Sequence, residues 1–546
     1  MKRPIATLFV FAFVSTALGA CTKIGTSSVP GRRHSYTTPH VLRFSTATDI
    51  EHLVTLESAS AYEMYLAAMC NAWLIKTDAG GNATVPELIT EIPTQRNGGI
   101  SKDGKTITWH LRHNVKWSDG APFDADDVIF STKQVLNPAN NVESTDGWDL
   151  IAKMDEPDKY TVVYHLKKPY SSFAVTFFST GGANPSVLPQ HLLKGYPNLN
   201  NVPYNSLPVG TGPYKFVRWT RGDSVEMVRN PYYFRGAPKL ERIVFKIIPD
   251  RNTVLEQLRT HELDLWIEIP PHFYTQATAI PDTASISIPS YTFDHLDFNL
   301  TNPILADRVV REALRYATDR DEIIAKAQNG LYLRSESPVT PANRYYLNLP
   351  LVPFDLAKAN ALLDGDGWKR GPDGIRSKAG RRLSLTLTSS IGSPDLDTEI
   401  ELIRGMWKQI GVDFVVKRYL SSQYFATIAN GGILNGGKFD VAIFGWGSDP
   451  NEDLSNLYAC YRFPPDGQND IRWCDPAATA AMDRVKESYD PAVRKVALAQ
   501  VQRAVYDEVP TVIRDVRKLL AVYNDDVHGW HPNSVGPFDD MMKVDI

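Results

Sequence analysis

The stretch from Arg381 to Leu420 constrains the fold more than any other part of the chain. "RRLSLTLTSS" alternates Leu383, Leu385 and Leu387, the period of a strand with one face buried. "TEIELIRGMWKQIG" then places Ile400, Ile403, Trp407 and Ile410 along one side of a helix, with Gly411 as its terminator. "VDFVVKRYL" returns as a strand. A strand, a helix and a strand in succession imply two parallel strands joined by a right-handed crossover. "FDVAIFGW" reads as the next strand, which drives into Trp446, two small residues and a carboxylate, Asp449.

The same interleaving recurs elsewhere. "KTITWHLRHNVKWSDG" alternates Ile107, Trp109 and Leu111 before a turn at Asp119-Gly120, and Asp124 or Asp126 is suited to cap the helix that follows. "LERIVFKIIPD" reads as a strand, and "NTVLEQLRTHELDLW" as a helix followed by a strand. Val309, Val310, Ala313, Leu314 and Ala317 recur at helical spacing, and Asp319 with Glu322 resembles a capping box for the next helix. Asp490-Pro491 opens a long helix stopped by Pro510. The class is α/β with mixed sheets.

At 546 residues, 43% hydrophobic and 22% charged, the chain is long enough for more than one core. A net charge of -4 points to neither nucleic acid nor an acidic lipid surface. Residues 1–20 read as a secretory signal: Lys2 and Arg3, then an apolar run too short to span a membrane. Leu18-Gly19-Ala20-Cys21 resembles a bacterial lipobox, which implies cleavage before Cys21 and lipidation of its thiol; plain signal cleavage, with Cys21 incidental, is the alternative. Residues 21–40 are then a polar, turn-rich tether. Export makes a Cys460–Cys474 disulfide permissible, Cys70 lies among apolar residues as a buried free thiol, and no CxxC metal or redox spacing occurs.

Five stretches, in order, resemble the bacterial extracellular solute-binding proteins of family 5, the oligopeptide/dipeptide-binding family. They are "DGKTITWHLRHNVKWSDGAPFDADDVIFS", "VGTGPYKFVRW", "FNLTNPILADRVVREALRYATDRDEII", "FDLAKANALLDGDGW" and "FDVAIFGWGSDP". The resemblance implies a two-lobed periplasmic-binding-protein fold with ligand held between the lobes. Lobe I would comprise 41–80, 190–288 and 512–546, with an inserted subdomain at 81–189, and lobe II would be 289–511. The chain would cross between lobes near 287–293 and 509–515, forming a hinge.

The resemblance also implies a site. Trp446 would pack on a ligand's apolar side, and Gly447 and Ser448 would let a ligand main chain approach. Asp449 would receive a peptide's α-ammonium; alternatively Asp449-Pro450 starts a turn and caps the following helix, with the ammonium acid missing. Ser58, Ala59 and Ser60 would supply the opposite wall, or form a solvated loop. Cys460 and Cys474 would be bridged, as in some dipeptide-binding members. No catalytic residue, metal or cofactor is expected: GxSxG, HExxH, Walker A and GxGxxG are all missing, and His110 and His113 leave opposite faces of a strand. The expected partners are a short peptide or other small solute, an ABC permease complex, and the membrane through the lipid anchor. The protein would act as a monomer in the periplasm or on the cell-envelope exterior. The other readings are the same fold holding a nickel chelate, haem or a sugar, or presenting ligand to a sensor, or acting as a chaperone.

Overall fold

The computed structural model describes residues 33–46, 49–57, 60–142, 144–181, 184–448, 450 and 453–546. Cys21 and the signal segment lie outside the described residues, as do Ser58, Ala59 and Asp449. Met1–Thr37 and Thr38–Ile546 are separate units, and the described part of the first, 33–37, contains a turn. No helix among the described residues is long and apolar enough to cross a membrane.

A 10-stranded sheet organises the second unit. At one side lie Asp413–Tyr419, Ser384–Ser390 and Val441–Gly447; at the other lie Leu265–Ile267, Val41–Thr46, Arg242–Ile247, Ser224–Arg229 and Tyr214–Thr220. Between these groups run two long antiparallel strands, Thr283–Phe298 and Thr511–Asn524. They belong to both halves of the sheet and make the connection between two lobes.

The strand–helix–strand unit forms as its periodicity requires. Ser384–Ser390 pairs parallel with Asp413–Tyr419. The intervening helix, Pro394–Gln409, is capped by Ser393 and buries Ile400, Ile403 and Trp407. Gly411 follows at φ 83°, a left-handed position that favours glycine. Val441–Gly447 joins parallel to Ser384–Ser390 and antiparallel to Thr283–Phe298, so the sheet is mixed. Of the two candidate caps near residue 125, Asp124 is the one used, with Asp127 completing the box.

Each lobe has its own apolar core. Leu42, Phe44, Ile243, Phe245 and Leu265 belong to one, and Leu385, Leu387, Ile400, Trp407 and Val441 to another. A third surrounds the three-stranded sheet of Thr106–His110, Thr161–Leu166 and Ile151–Asp158, with Trp109, Trp148 and Tyr164 at its centre.

The two long strands are not regularly paired. Register runs from Thr283↔Asn524 to Pro289↔Lys518, then resumes at Phe293↔Val516, leaving Arg517 without a partner in the ladder. It shifts again between Asp294↔Asp515 and His295↔Ile513, leaving out Arg514. Such irregularities bend a strand and re-aim the side chain at the break. Here both re-aimed residues are arginines.

Candidate functional site

A cavity of about 750 Å³ lies over this irregular crossing. Tyr65, Glu268 and His272 line it from the first lobe, and Ser393, Asp395 and Phe444 from the second. Its floor is made by the two long strands, through Ser290, Tyr291, Thr292, Asp294, Arg514 and Arg517.

The floor carries a compact set of charges. Asp294 is 5% exposed, Arg514 1% and Asp515 0%. Arg517 donates from Nε to Asp294 Oδ2 and from Nη2 to Asp294 Oδ1, both at 2.7 Å. This bidentate geometry fixes the guanidinium plane. Arg514 pairs with Glu399 of the helix Pro394–Gln409 and stands 3.6 Å from Asp294. Burial raises the Asp294 pKa, but Arg517 and Arg514 outweigh that effect and hold it below the ordinary carboxylate value. Asp515, opposite Asp294 in register, is pushed well up by burial and then by the Asp294 charge. The adjacent carboxyls are thus driven apart, Asp294 downward and Asp515 upward.

Space for the pair comes from Gly445. A Cβ there would lie 2.5 Å from Arg517 Nη2 and 2.7 Å from Asp294 Oδ1. The first small residue of "FGWG" is therefore required by the floor of the cavity. Gly447 has no such constraint, since a Cβ there would meet Thr292 Oγ1 at 3.9 Å, ordinary contact.

The side walls are also anchored. Tyr65 Oη donates to Glu268 at 2.6 Å, and burial, followed by the Glu268 charge, pushes the phenol well up. His272 Nδ1 lies 3.0 Å from both oxygens of Asp395, linking the lobes across the cavity. Asp539, pushed up to about 6 by burial, accepts hydrogen bonds from Thr77 and Thr180.

The residues singled out in the sequence are distributed unevenly. Ser448 lines the cavity, its N and Oγ donating to Tyr291 O at 3.0 and 2.8 Å. Trp446 instead packs against the cluster containing Val339, Leu454 and Ile513; it is paired in register with Phe293, fully buried in the same cluster, and so shares its face. Gly447 is exposed, and the lining at the end of this strand comes from Phe444 and Gly445. Ser60 is the N-cap of the helix Ala61–Cys70, whose Ala61, Tyr62, Met64 and Tyr65 border the cavity. Cys460 and Cys474 are joined by a disulfide, and Cys70 is buried and free. The sequence reading missed Asp294, Glu399, Arg514 and Arg517. The signal for the two arginines was present in "VIRDVRKLLAV", where four charges interrupt an otherwise apolar strand.

Comparison with known proteins places the chain. Residues 83–467 match the family model of the bacterial extracellular solute-binding proteins, family 5 (middle region), and the chain belongs to that family. The glutathione-binding protein GsiB of Salmonella typhimurium is 28% identical over 452 residues, 81% of this chain and 84% of that one. The oligopeptide-binding protein AppA of Bacillus subtilis, solved with a nonapeptide, superposes with a TM-score of 0.75 at 21% identity, over 92% of this chain and 98% of that one. NikZ of Campylobacter jejuni, solved with Ni(L-His), gives a TM-score of 0.77 at 24% identity, over 93% and 100%. The fold is the two-lobed one of this family, with its ligand cleft between the lobes.

Proposed function

We propose that this protein is the solute-capturing component of an ABC importer, that it holds short peptides between its lobes, and that it delivers them to a membrane permease. The observation that carries this reading is the cavity itself: about 750 Å³, bordered by both lobes, with fixed carboxylates and guanidinium groups on its surface. That volume suits a ligand of a few residues, and charges of both signs suit a zwitterion. Glutathione, named for one relative, is consistent with it.

Binding here requires no bond chemistry. A solute that touches both lobes stabilises the closed form, and only that difference in affinity can shift the equilibrium. Asp449 follows Ser448, a cavity residue, and is assigned to the peptide's ammonium. A desolvated ammonium is costly unless paired, so one acid there discriminates strongly against solutes lacking a cation. Cys21 is assigned to the lipid anchor.

Mass spectrometry of the solute released from gently purified protein tests the peptide reading directly; a released sugar or haem would refute it. Asp449→Ala should weaken free-amine peptides far more than N-acetylated ones, and equal losses would return Asp449 to a turn or cap. Cys21→Ser should release the protein from membranes into the soluble fraction.

A further inference from the structure

Building on the peptide reading, we propose that Arg517 is the residue that recognises a carboxylate of the solute, using the end-on edge of its guanidinium while the side-on edge stays on Asp294. A guanidinium has five N–H donors. Asp294 engages Nε and Nη2, one hydrogen of each. Two donors on Nη1 and one on Nη2 remain, and no described residue takes them. The side chain is 45% exposed and borders the cavity. Arg514 has no comparable opening: it is 1% exposed and closed off by Glu399.

Three features make the free edge a prepared subsite. The Asp294 bridge already fixes the guanidinium plane, so a carboxylate meets a donor pair that needs no further ordering. Gly445 keeps that plane clear, because any side chain there would press on Nη2. The charges around the free edge also leave room for an anion. Asp294 and Glu399 offset Arg517 and Arg514, while Lys518, next along the strand and also lining the cavity, has no ion-pair partner among the described residues; the wall carboxyls Asp395, Glu268 and Asp539 are already engaged by His272, by Tyr65 and by Thr77 with Thr180. A flexible ammonium is a diffuse attractor, whereas the fixed planar fork sets direction. The helix Pro394–Gln409 adds its positive end, as Ser393 and Pro394 face the same space.

The carboxylate has two possible sources, a peptide C-terminus or an acidic side chain. Calorimetry on the full chain with trialanine, trialanine amide and Ala-Glu-Ala amide separates them. Trialanine should bind at least about tenfold more tightly than its amide, and Arg517→Ala should bring that ratio near one, with Arg517→Lys intermediate. If Ala-Glu-Ala amide recovers the lost affinity in an Arg517-dependent way, the group recognised is a side chain. Because Arg517→Ala leaves Asp294 buried without its partner, the pair Asp294→Asn with Arg517→Gln serves as a second variant that leaves no isolated charge. An unchanged trialanine-to-amide ratio in folded variants overturns the inference and leaves the peptide reading intact. A released solute that is a peptide without any carboxylate does the same, whereas a carboxylate-bearing solute that is not a peptide refutes the peptide reading and keeps the Arg517 assignment.

Discussion

The two long strands contain a regular half and a broken half, built from the same pair of segments. From Thr283↔Asn524 to Pro289↔Lys518 the ladder is continuous, and on Thr511–Asn524 that half is Leu519, Leu520, Ala521 and Val522, all buried in apolar cores. From Phe293↔Val516 to Asp297↔Thr511 the ladder has lost Arg517 at its start and loses Arg514 within it. In the regular half, alternation sends the side chains of Leu519 to Val522 to one face or the other, and each face meets an apolar core. In the broken half the alternation is interrupted where an arginine occurs, and two guanidinium groups reach the cavity floor. The segment that joins the two lobes thus gains a charged cavity floor through irregular pairing.

The largest expected effect follows from that contrast. Asp294→Ala leaves Arg517 and Arg514 facing each other without the carboxylate between them. Breaking a buried pair from one side costs about 3–5 kcal/mol; because Arg517 is half-exposed and Arg514 keeps Glu399, the loss should lie at the lower end, about 3 kcal/mol, read from urea unfolding. Ser285→Ala, exposed in the regular half, should stay within about 0.5 kcal/mol of wild type. Similar losses at both positions would erase the distinction between the halves.

Gly445→Ala comes next. Its Cβ would displace Arg517 or Asp294, and the overpacking should cost about 1–3 kcal/mol along with much of the solute affinity. A folded Gly445→Ala protein with full affinity would mean that the ion pair can shift freely, contrary to a fixed floor.

Acid–base behaviour sharpens the comparison within the broken half, because its two carboxyls have opposite signs. Asp515 has a folded pKa raised above its unfolded value, chiefly by burial. Its stabilising contribution is whole below about pH 4, where the unfolded group is also protonated, and is lost as pH rises toward the folded pKa. Asp294, depressed by its arginines, contributes above its unfolded pKa and loses that contribution as pH falls. Asp515→Asn removes the first slope. Relative to wild type it should gain up to about 1.4 kcal/mol per pH unit above pH 4, measured by chemical denaturation at pH 4 to 7. A constant gap across that range would show that Asp515 ionises normally in the fold.

Much of the architecture was legible in the residues. The period of two in Leu383–Leu387, the helical spacing from Ile400 to Ile410 and the terminator at Gly411 all describe local geometry, and the parallel pairing follows from chain order. The site was less legible because register is not local. "VIRDVRK" displays its charges openly, but nothing in that string says which of them drop out of a ladder with residues more than 200 positions away. Gly445 and Gly447 look equivalent in "FGWG", and only their partners across the sheet separate them: Asp294 and Arg517 beside one, Thr292 beside the other.

That last difference gives the smallest expected effect. Gly447→Ala places its Cβ 3.9 Å from Thr292 Oγ1 and at no left-handed backbone angle. The substitution should be neutral or stabilising by about 0.4–1 kcal/mol, through the entropy of the unfolded chain. Because the cavity lining at this strand end comes from Phe444, Gly445 and Ser448, solute affinity should also remain within about twofold, roughly 0.4 kcal/mol. A tenfold loss of affinity with unchanged stability would place a ligand main chain against residue 447 and move the wall outward by two residues. Measured beside Gly445→Ala, the result separates a glycine needed by the protein's own ion pair from one needed only by the ligand.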